Sequence, residues 1–317
     1  MTPRVSQLIR APWKCSTDRS ETNVCTSNYR AENIGQVSLL GDQSEMEPSP
    51  KISIVTPSFN QGQYLEQTIR SVLFQDYPNL DYIVIDGDSG DGSATIISKY
   101  SSHLSYWVSE KDSGQADALC KGFSKATGQI QGWVNSDDIL LPHTLHAVSN
   151  YFVEHPAVGV VYGNRIFIDH NGNETGRQYP PSFVPAACWG QGQQLCQEAV
   201  FWRRESYDKV GGINPRWFFI MDFDLFYRMS RIARFAKLRR HLGCMRVHPD
   251  TKSARHDPVM WSEFELAKRS LGIEGKNKWI TRAAQVLAKQ LSRVEKVLAD
   301  PFSKTEYERW RDKLKAS

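Results

Sequence analysis

Repeatedly in its first half the chain runs through a short apolar stretch that breaks off into acids and amides. Ile52, Ile54 and Val55 lead into Thr56-Pro57-Ser58-Phe59-Asn60, and Tyr82-Ile83-Val84-Ile85 into Asp86-Gly87-Asp88. Ile130 to Val134 ends in Asn135-Ser136-Asp137-Asp138. Between these runs lie stretches of helical period: Tyr64 to Phe74, with Leu65, Ile69, Val72 and Leu73 on one face, then Ala94 to Tyr100 and a helix reaching Ala126. Strand-helix alternation of this kind builds a mostly parallel α/β sheet with helices on both faces. Such sheets bind ligands at the carboxyl ends of their strands. One acid-tipped strand is ordinary, because Asx turns favour it; a series of them points to a shared ligand in the crevice above the sheet.

The last tip admits two readings. Asp137 and Asp138 are hard oxygen ligands suited to Mg2+ or Mn2+, yet Ser and Asp also cap helices, and one such residue suffices for a cap. No G-x-G-x-x-G opens a helix and no G-x-x-x-x-G-K-[ST] is present, which disfavours a dinucleotide dehydrogenase or a P-loop enzyme. With acids in place of a glycine-rich loop, phosphate has to be reached through a cation. A metal-bridged nucleotide is the ligand expected.

A net charge of +4 over 317 residues is too mild for nucleic acid as a primary ligand, but it tolerates an anionic substrate or an acidic membrane surface. The six cysteines form no CxxC pair, against a zinc ribbon or a redox dithiol. No apolar run approaches a bilayer span, and no apolar region follows Arg4 and Arg10 as a secretory signal requires. A reducing, cytoplasmic setting is expected.

Residues 1–50 lack apolar periodicity and read as a disordered or loosely docked extension. Beyond the central tip, a helix from Pro142 to His155 and a strand from Val158 to Tyr162 continue the alternation, and Asn171-Gly172-Asn173 signals a turn. Gln197 and Glu198 precede another apolar strand, and Asp222 enters a helix running to Ile232. After Val259 the pattern is helical. Ile280, Ala284, Leu287, Leu291, Val294 and Leu298 recur at spacings of four and three with Lys and Arg between them. Such a helix packs on its own domain or a second copy, or lies on an anionic membrane.

In order along the chain, SIVTPSFNQGQYLEQTIRSVLFQDYPN, YIVIDGDSGDGS, YWVSEKDSGQADALCKGF, ATGQIQGWVNSDD, QEAVFWRR and MDFDLFYRM resemble a family 2 glycosyltransferase with a GT-A fold, over Lys51 to His248. The resemblance implies a GT-A domain at residues 51–257, with a nucleotide-binding half (51–162) and an acceptor-binding half (163–257), and a helical extension at 258–317. It implies transfer of a sugar, with inversion, from a nucleotide-diphosphate donor to an acceptor hydroxyl in polysaccharide or glycoconjugate synthesis. The donor expected is UDP-linked and the cofactor Mn2+ or Mg2+. Pro57, Ser58 and Asn60 would line the nucleotide pocket, Asp86 would bind base or ribose, and Asp117 would be a second donor-pocket acid. Asn135-Ser136-Asp137 stands where the family has its Asp-x-Asp metal motif, with Asn replacing the first Asp. Asp137, Asp138 and His248 are the implied metal ligands, Gln197 and Glu198 the implied acceptor-side residues, and Asp222 the implied catalytic base.

Plainer roles stand beside these. Asp222 could cap its helix, Glu198 could pair with Arg203 or Arg204, and His248 could be structural. Two other functional classes fit parts of the pattern. A sugar-nucleotidyltransferase would share the sheet and the acids but needs a basic glycine-rich loop after the first strand, which Ser58 to Gly62 lacks. A non-catalytic nucleotide-sugar module would bind donor without turnover. The partners expected are the donor and a saccharide or lipid-linked acceptor, at the inner face of a membrane or in a homodimer formed through the C-terminal helix, with no nucleic acid.

Overall fold

In a computed structural model the described residues are 49–191, 195–249, 251–252 and 258–316. The disorder expected of residues 1–50 therefore falls, apart from the last two positions, outside them. Strands β1 (Ile52–Ser58), β2 (Leu80–Asp86), β3 (Tyr106–Ser109) and β4 (Ile130–Trp133) form the parallel part of the sheet, in the order β3-β2-β1-β4. Their register pairs Ser58 with Asp86 and Asp86 with Ser109, so the polar tips end along one edge.

Beyond β4 the sheet becomes mixed. Strand β8 (Val200–Arg203) runs antiparallel to β4, and β6 (Val158–Ile168) antiparallel to β8. Strand β9 (Arg234–Arg246) lies parallel to β6, and the short β5 (Ile139–Leu140) ends the order beside β9. The turn signalled by Asn171-Gly172-Asn173 joins β6 to β7 (Glu174–Gln178), where Asp169 Oδ1 accepts the N–H groups of Asn171 and Asn173. The parallel order expected from sequence thus holds for the first half and gives way to mixed pairing in the second, where only β6 and β9 among the described strands run parallel.

Helices cover both faces of the sheet. Successive residues of β1 point to opposite sides, and Ile54 joins one core cluster while Val55 joins the other. Leu65, Ile69 and Val72 of α1 (Gly62–Leu73) and Leu145, Val148 and Phe152 of α4 (Thr144–Glu154) pack with Ile54. On Val55's side lie Leu119 and Phe123 of α3 (Gln115–Lys125) with Leu225 and Phe226 of α7 (Met221–Ser230). Helix α3 approaches so closely that a Cβ on Gly122 would lie 2.4 Å from Val55 Cγ1. The remaining helices of the first half and the middle are α2 (Ser93–Lys99), α5 (Pro185–Gln191) and α6 (Arg204–Lys209).

The C-terminal helices α8 (Pro258–Ser270), α9 (Lys278–Leu298) and α10 (Lys304–Lys315) belong to the same compact unit, Glu47–Ser317. Ser303 and Glu306 form a reciprocal capping box that starts α10. Tyr307, Trp310 and Leu314 are buried with Ile139, Leu141, Ile166 and Ile168, and Trp310 Nε1 donates to Leu140 O at 2.9 Å. Helix α10 therefore covers β5.

Candidate active site

After Val134 the chain turns sharply, with Asp138 N–H donating to Asn135 O at 3.0 Å. This turn is pinned from both sides. From α1, Thr68 Oγ1 lies 2.9 Å from Ser136 O and 2.7 Å from Asp138 O. From the end of β9, the buried Arg246 donates through Nε to Asp137 O at 2.9 Å and through its backbone N–H to Asp138 Oδ1 at 3.0 Å. Its remaining guanidinium nitrogens reach Asp169 O and Gln67 Oε1.

What the turn presents is Asp137. Its Oδ2 lies 3.1 Å from Nε2 of His248, a residue 111 positions away whose ring packs 4.9 Å from that of Tyr64. A carboxylate oxygen and an imidazole nitrogen at this separation fit two neighbouring positions around one cation. Among the described residues no group of three His, Cys, Asp or Glu side chains converges to hold a metal. The donor set therefore fits a site completed by substrate phosphate oxygens, which is how Mg2+-type ions are commonly bound, and does not fit an all-protein cage.

Asp138 is expected from sequence to be a metal ligand, and its geometry speaks against that. The side chain is 4% exposed, with Oδ1 accepting from Arg246 N–H and Oδ2 from Asn135 Nδ2 at 3.0 Å. Burial first, then the charges of Asp137 and Glu198, push its carboxyl well above the usual range. It supports the turn from beneath.

The same network accounts for the amide at 135. Asn135 Nδ2 donates to Asp138 Oδ2 and to Gln197 Oε1, both at 3.0 Å, while its Oδ1 accepts from Gln115 Nε2 at 2.8 Å. A carboxylate here would set oxygen against oxygen at two contacts. Asn135→Asp, the change that restores the family's usual acid, is accordingly expected to destabilise the protein by about 1–3 kcal/mol, the scale of an unsatisfied buried polar group. Urea denaturation measures this; a variant as stable as the parent, with tighter Mn2+ binding, would show that the network does not require an amide.

The neighbouring strand tips lie on the same edge of the sheet. Asp86 is fully buried and accepts from Ser89 Oγ at 2.6 Å, Ser89 N–H at 3.0 Å and Ser109 Oγ at 2.7 Å. Asn60, at φ 52°, is held by Ser89 Oγ and by Gly90 N–H. Ser58 Oγ is buried without a hydrogen-bond partner among the described residues, beside the tip that Pro57 stiffens. Asp222 stands in the first turn of α7, where Phe223 N–H donates to its Oδ1 at 2.7 Å. The loop before it is fastened by Glu263 of α8, whose two oxygens each accept a backbone N–H, from Phe218 and Phe219, at 2.8 Å.

The family model described as glycosyl transferase family 2 matches residues 53–212. The chain belongs to that family. An uncharacterised glycosyltransferase of Nostoc sp. is 27% identical over 242 residues, which cover 73% of this chain and 74% of the relative. The S. aureus TarS 1–349 structure in complex with UDP superposes with a TM-score of 0.57 at 19% identity, over 80% of this chain and 73% of that one. The mannosyltransferase PcManGT from Pyrobaculum calidifontis, in complex with GDP-Man and Mn2+, gives 0.50 at 17%, over 84% and 85%. At these identities the two structures speak to the fold, which is GT-A. Family membership makes the chain a glycosyltransferase and removes the sugar-nucleotidyltransferase alternative.

Within this family 2 domain the remaining expected residues separate. Asp117 sits on the first turn of α3, where it accepts from Ser113 N–H at 3.0 Å and faces Lys121 Nζ at 3.6 Å. Gln197 is buried under the turn, donating to Trp133 O at 2.8 Å, so it supports Asn135 instead of forming an open acceptor surface. Glu198 is 2% exposed and pairs with Arg165 at 2.8 Å, not with Arg203 or Arg204. That burial argues against direct acceptor contact by Glu198. Asp224, which shares the first turn of α7 with Asp222, is held by Arg228 and is not one of these residues.

Several residues of the site have no role assigned by sequence reasoning. Gln115 and Asp112 fall inside the quoted KDSGQAD run, and a Cβ on Gly87 would lie 2.7 Å from Asp112 Oδ2. Lys252 has no local signal. Its ammonium lies 3.6 Å from the Phe218 ring centroid and 3.4 Å from Gln115 Oε1, and donates to Phe218 O. Burial brings it down to about 8, against the pull of Glu263 and Asp222. Lys252 thereby joins the Asp222 side of the site to the Asn135 network.

Proposed function

We propose that this glycosyltransferase moves a sugar from a UDP-linked donor to an acceptor hydroxyl, with inversion and with the help of Mn2+ or Mg2+, in polysaccharide or glycoconjugate synthesis. The observation that carries this reading is the approach of Asp137 to His248 at the tip of β4, on the same sheet edge as the tips that carry Ser58, Asn60 and Asp86. UDP bound to TarS and Mn2+ with GDP-Man bound to PcManGT support the choice of ligand class. A divalent ion held by Asp137 and His248 would act as a Lewis acid toward the charge developing on the diphosphate.

The chain's own residues supply the rest. Asn60, exposed at the tip of β1, offers polar groups to ribose hydroxyls or base N–H groups. Asp86, whose oxygens already accept from Ser89 and Ser109, would meet ribose or base by exchanging one of those hydroxyls, with the buried Ser58 hydroxyl beside it. Lys252 brings a positive charge to the side of the crevice facing Asp222. Asp222 accepts the proton of the acceptor hydroxyl as the new bond forms. With one candidate base and no second nucleophile assigned, direct displacement gives inversion at the sugar carbon. The acceptor is a saccharide or lipid-linked sugar, and the reaction is placed in the cytoplasm at the inner face of a membrane; a homodimer through the C-terminal helix is the competing association.

The test is hydrolysis of a panel of nucleotide sugars with Mn2+. Release of UDP from one UDP-sugar, suppressed by EDTA, is expected. Turnover only of GDP- or dTDP-linked sugars would overturn the donor assignment, and turnover indifferent to EDTA would overturn the metal.

A further inference from the structure

Helix α9 docks by the margin of its apolar stripe and leaves most of the stripe uncovered. With about 3.6 residues per turn, Ala284, Ala288 and Glu295 share the inward face. The two alanines pack on Ala187 of α5, and Glu295 pairs with Arg239 at 3.1 Å and Lys237 at 3.5 Å. The broad apolar stripe, carrying Ile280, Leu287, Val294, Val297 and Leu298, lies to one side of that inward face and is left open, its first, second, third and fifth members about half exposed, Val297 84% exposed and Trp279 at the helix start 83% exposed. A core-packing helix shows the reverse arrangement.

Charge selects the occupant of that face. Lys278, Arg282, Lys289, Arg293 and Lys296 form a row along one flank of the exposed stripe. Glu295, the one acid in the helix, is turned inward and paired, and Glu274 in the preceding turn is paired with Arg269 at 3.1 Å. Two copies meeting face to face would bring cationic rows together with no free acid on the helix to answer them. An anionic lipid surface answers both halves of the face: acyl chains receive the apolar stripe, lysine and arginine stems lie along it with their charges at the headgroups, and an exposed Trp suits the interface.

We infer that α9 is an interfacial helix that seats the enzyme on an anionic bilayer, apolar face down. No helix among the described residues is long and apolar enough to cross a membrane, so the attachment is peripheral at this helix. Helix α5, on which α9 rests, is tied to α7 by Trp189 Nε1 donating to Tyr227 OH at 3.0 Å. The seat is therefore one helix removed from the helix that carries Asp222, and a lipid-linked acceptor would come from that side.

Co-sedimentation of the full chain with sucrose-loaded vesicles tests this, with no nucleotide sugar present, so the result is independent of the donor and of the chemistry. The protein should pellet with vesicles of phosphatidylcholine plus phosphatidylglycerol, remain free with phosphatidylcholine alone, and be released by salt. Leu287→Glu with Val294→Glu should weaken binding by about ten-fold or more, and Lys289→Glu with Arg293→Glu by about ten-fold. All four positions are exposed, so the melting transition of each variant should match the parent's. Equal binding to both vesicle types, binding to neither, or binding unchanged in the Leu287/Val294 variant would overturn the inference. So would a parental dimer that this variant converts to a monomer in light scattering, which would make the face a contact between copies.

Discussion

Asp222→Asn is expected to retain UDP binding while losing transfer by about 10²-fold or more, the scale of general base catalysis. The substitution keeps size and shape in the first turn of α7 and an oxygen able to accept the Phe223 N–H, so the loop held by Glu263 should stay in place. What disappears is the capacity to take a proton from the acceptor. A matched fall in kcat with little change in the donor KM would place the loss in the transition state. Transfer at the parental rate would remove Asp222 from the role of base. A parent showing no turnover under any condition would instead leave a nucleotide-sugar binding module.

Asp137→Ala is expected to abolish the part of donor affinity that depends on Mn2+. His248 is then the one remaining protein ligand of the pair, and Asp138 cannot step in because both of its oxygens are engaged beneath the turn. Calorimetry of UDP binding with Mn2+ and with EDTA reads this without requiring turnover. The parent should show a difference between the two conditions and the variant little or none. An unchanged Mn2+-linked affinity would overturn the assignment of Asp137. The Thr68 hydroxyl and the Arg246 guanidinium bond to main-chain oxygens of the turn, so the fold of the variant should survive.

The first half of the fold was legible because its signals are local. Apolar runs such as Tyr82 to Ile85 stop at polar tips, and α1 shows its inward face in Leu65, Ile69 and Val72. Strand β9 is different: Lys237, Arg239 and Arg240 interrupt any apolar alternation along it, and its strand character comes from pairing with β6. The site divides the same way. Asp86 and Asp137 could be read from their strand tips, whereas the partners that decide what those tips do lie far off in the chain. His248 was proposed by resemblance, but Arg246 and Lys252 gain their positions from tertiary contacts that no short window contains. In sequence the amide at 135 reads only as a departure from the Asp-x-Asp metal motif. In the fold it is a donor shared by Asp138 and Gln197, a distinction carried by a residue 62 positions away.

Helix α10 closes the edge of the sheet at β5. Strand β5 is two residues long, and its Leu140 carbonyl is answered by Trp310 while Ile139 and Leu141 are shielded by Tyr307 and Leu314. Removing residues 259–317 would strip that cover together with α9, leaving bare apolar side chains and an unanswered carbonyl as a template for strand addition by another molecule. Insoluble or oligomeric material from such a truncation would report sticky edges rather than a lost membrane seat or a lost natural dimer. Substitutions confined to the outward face of α9 leave the sheet margin closed and separate the two effects.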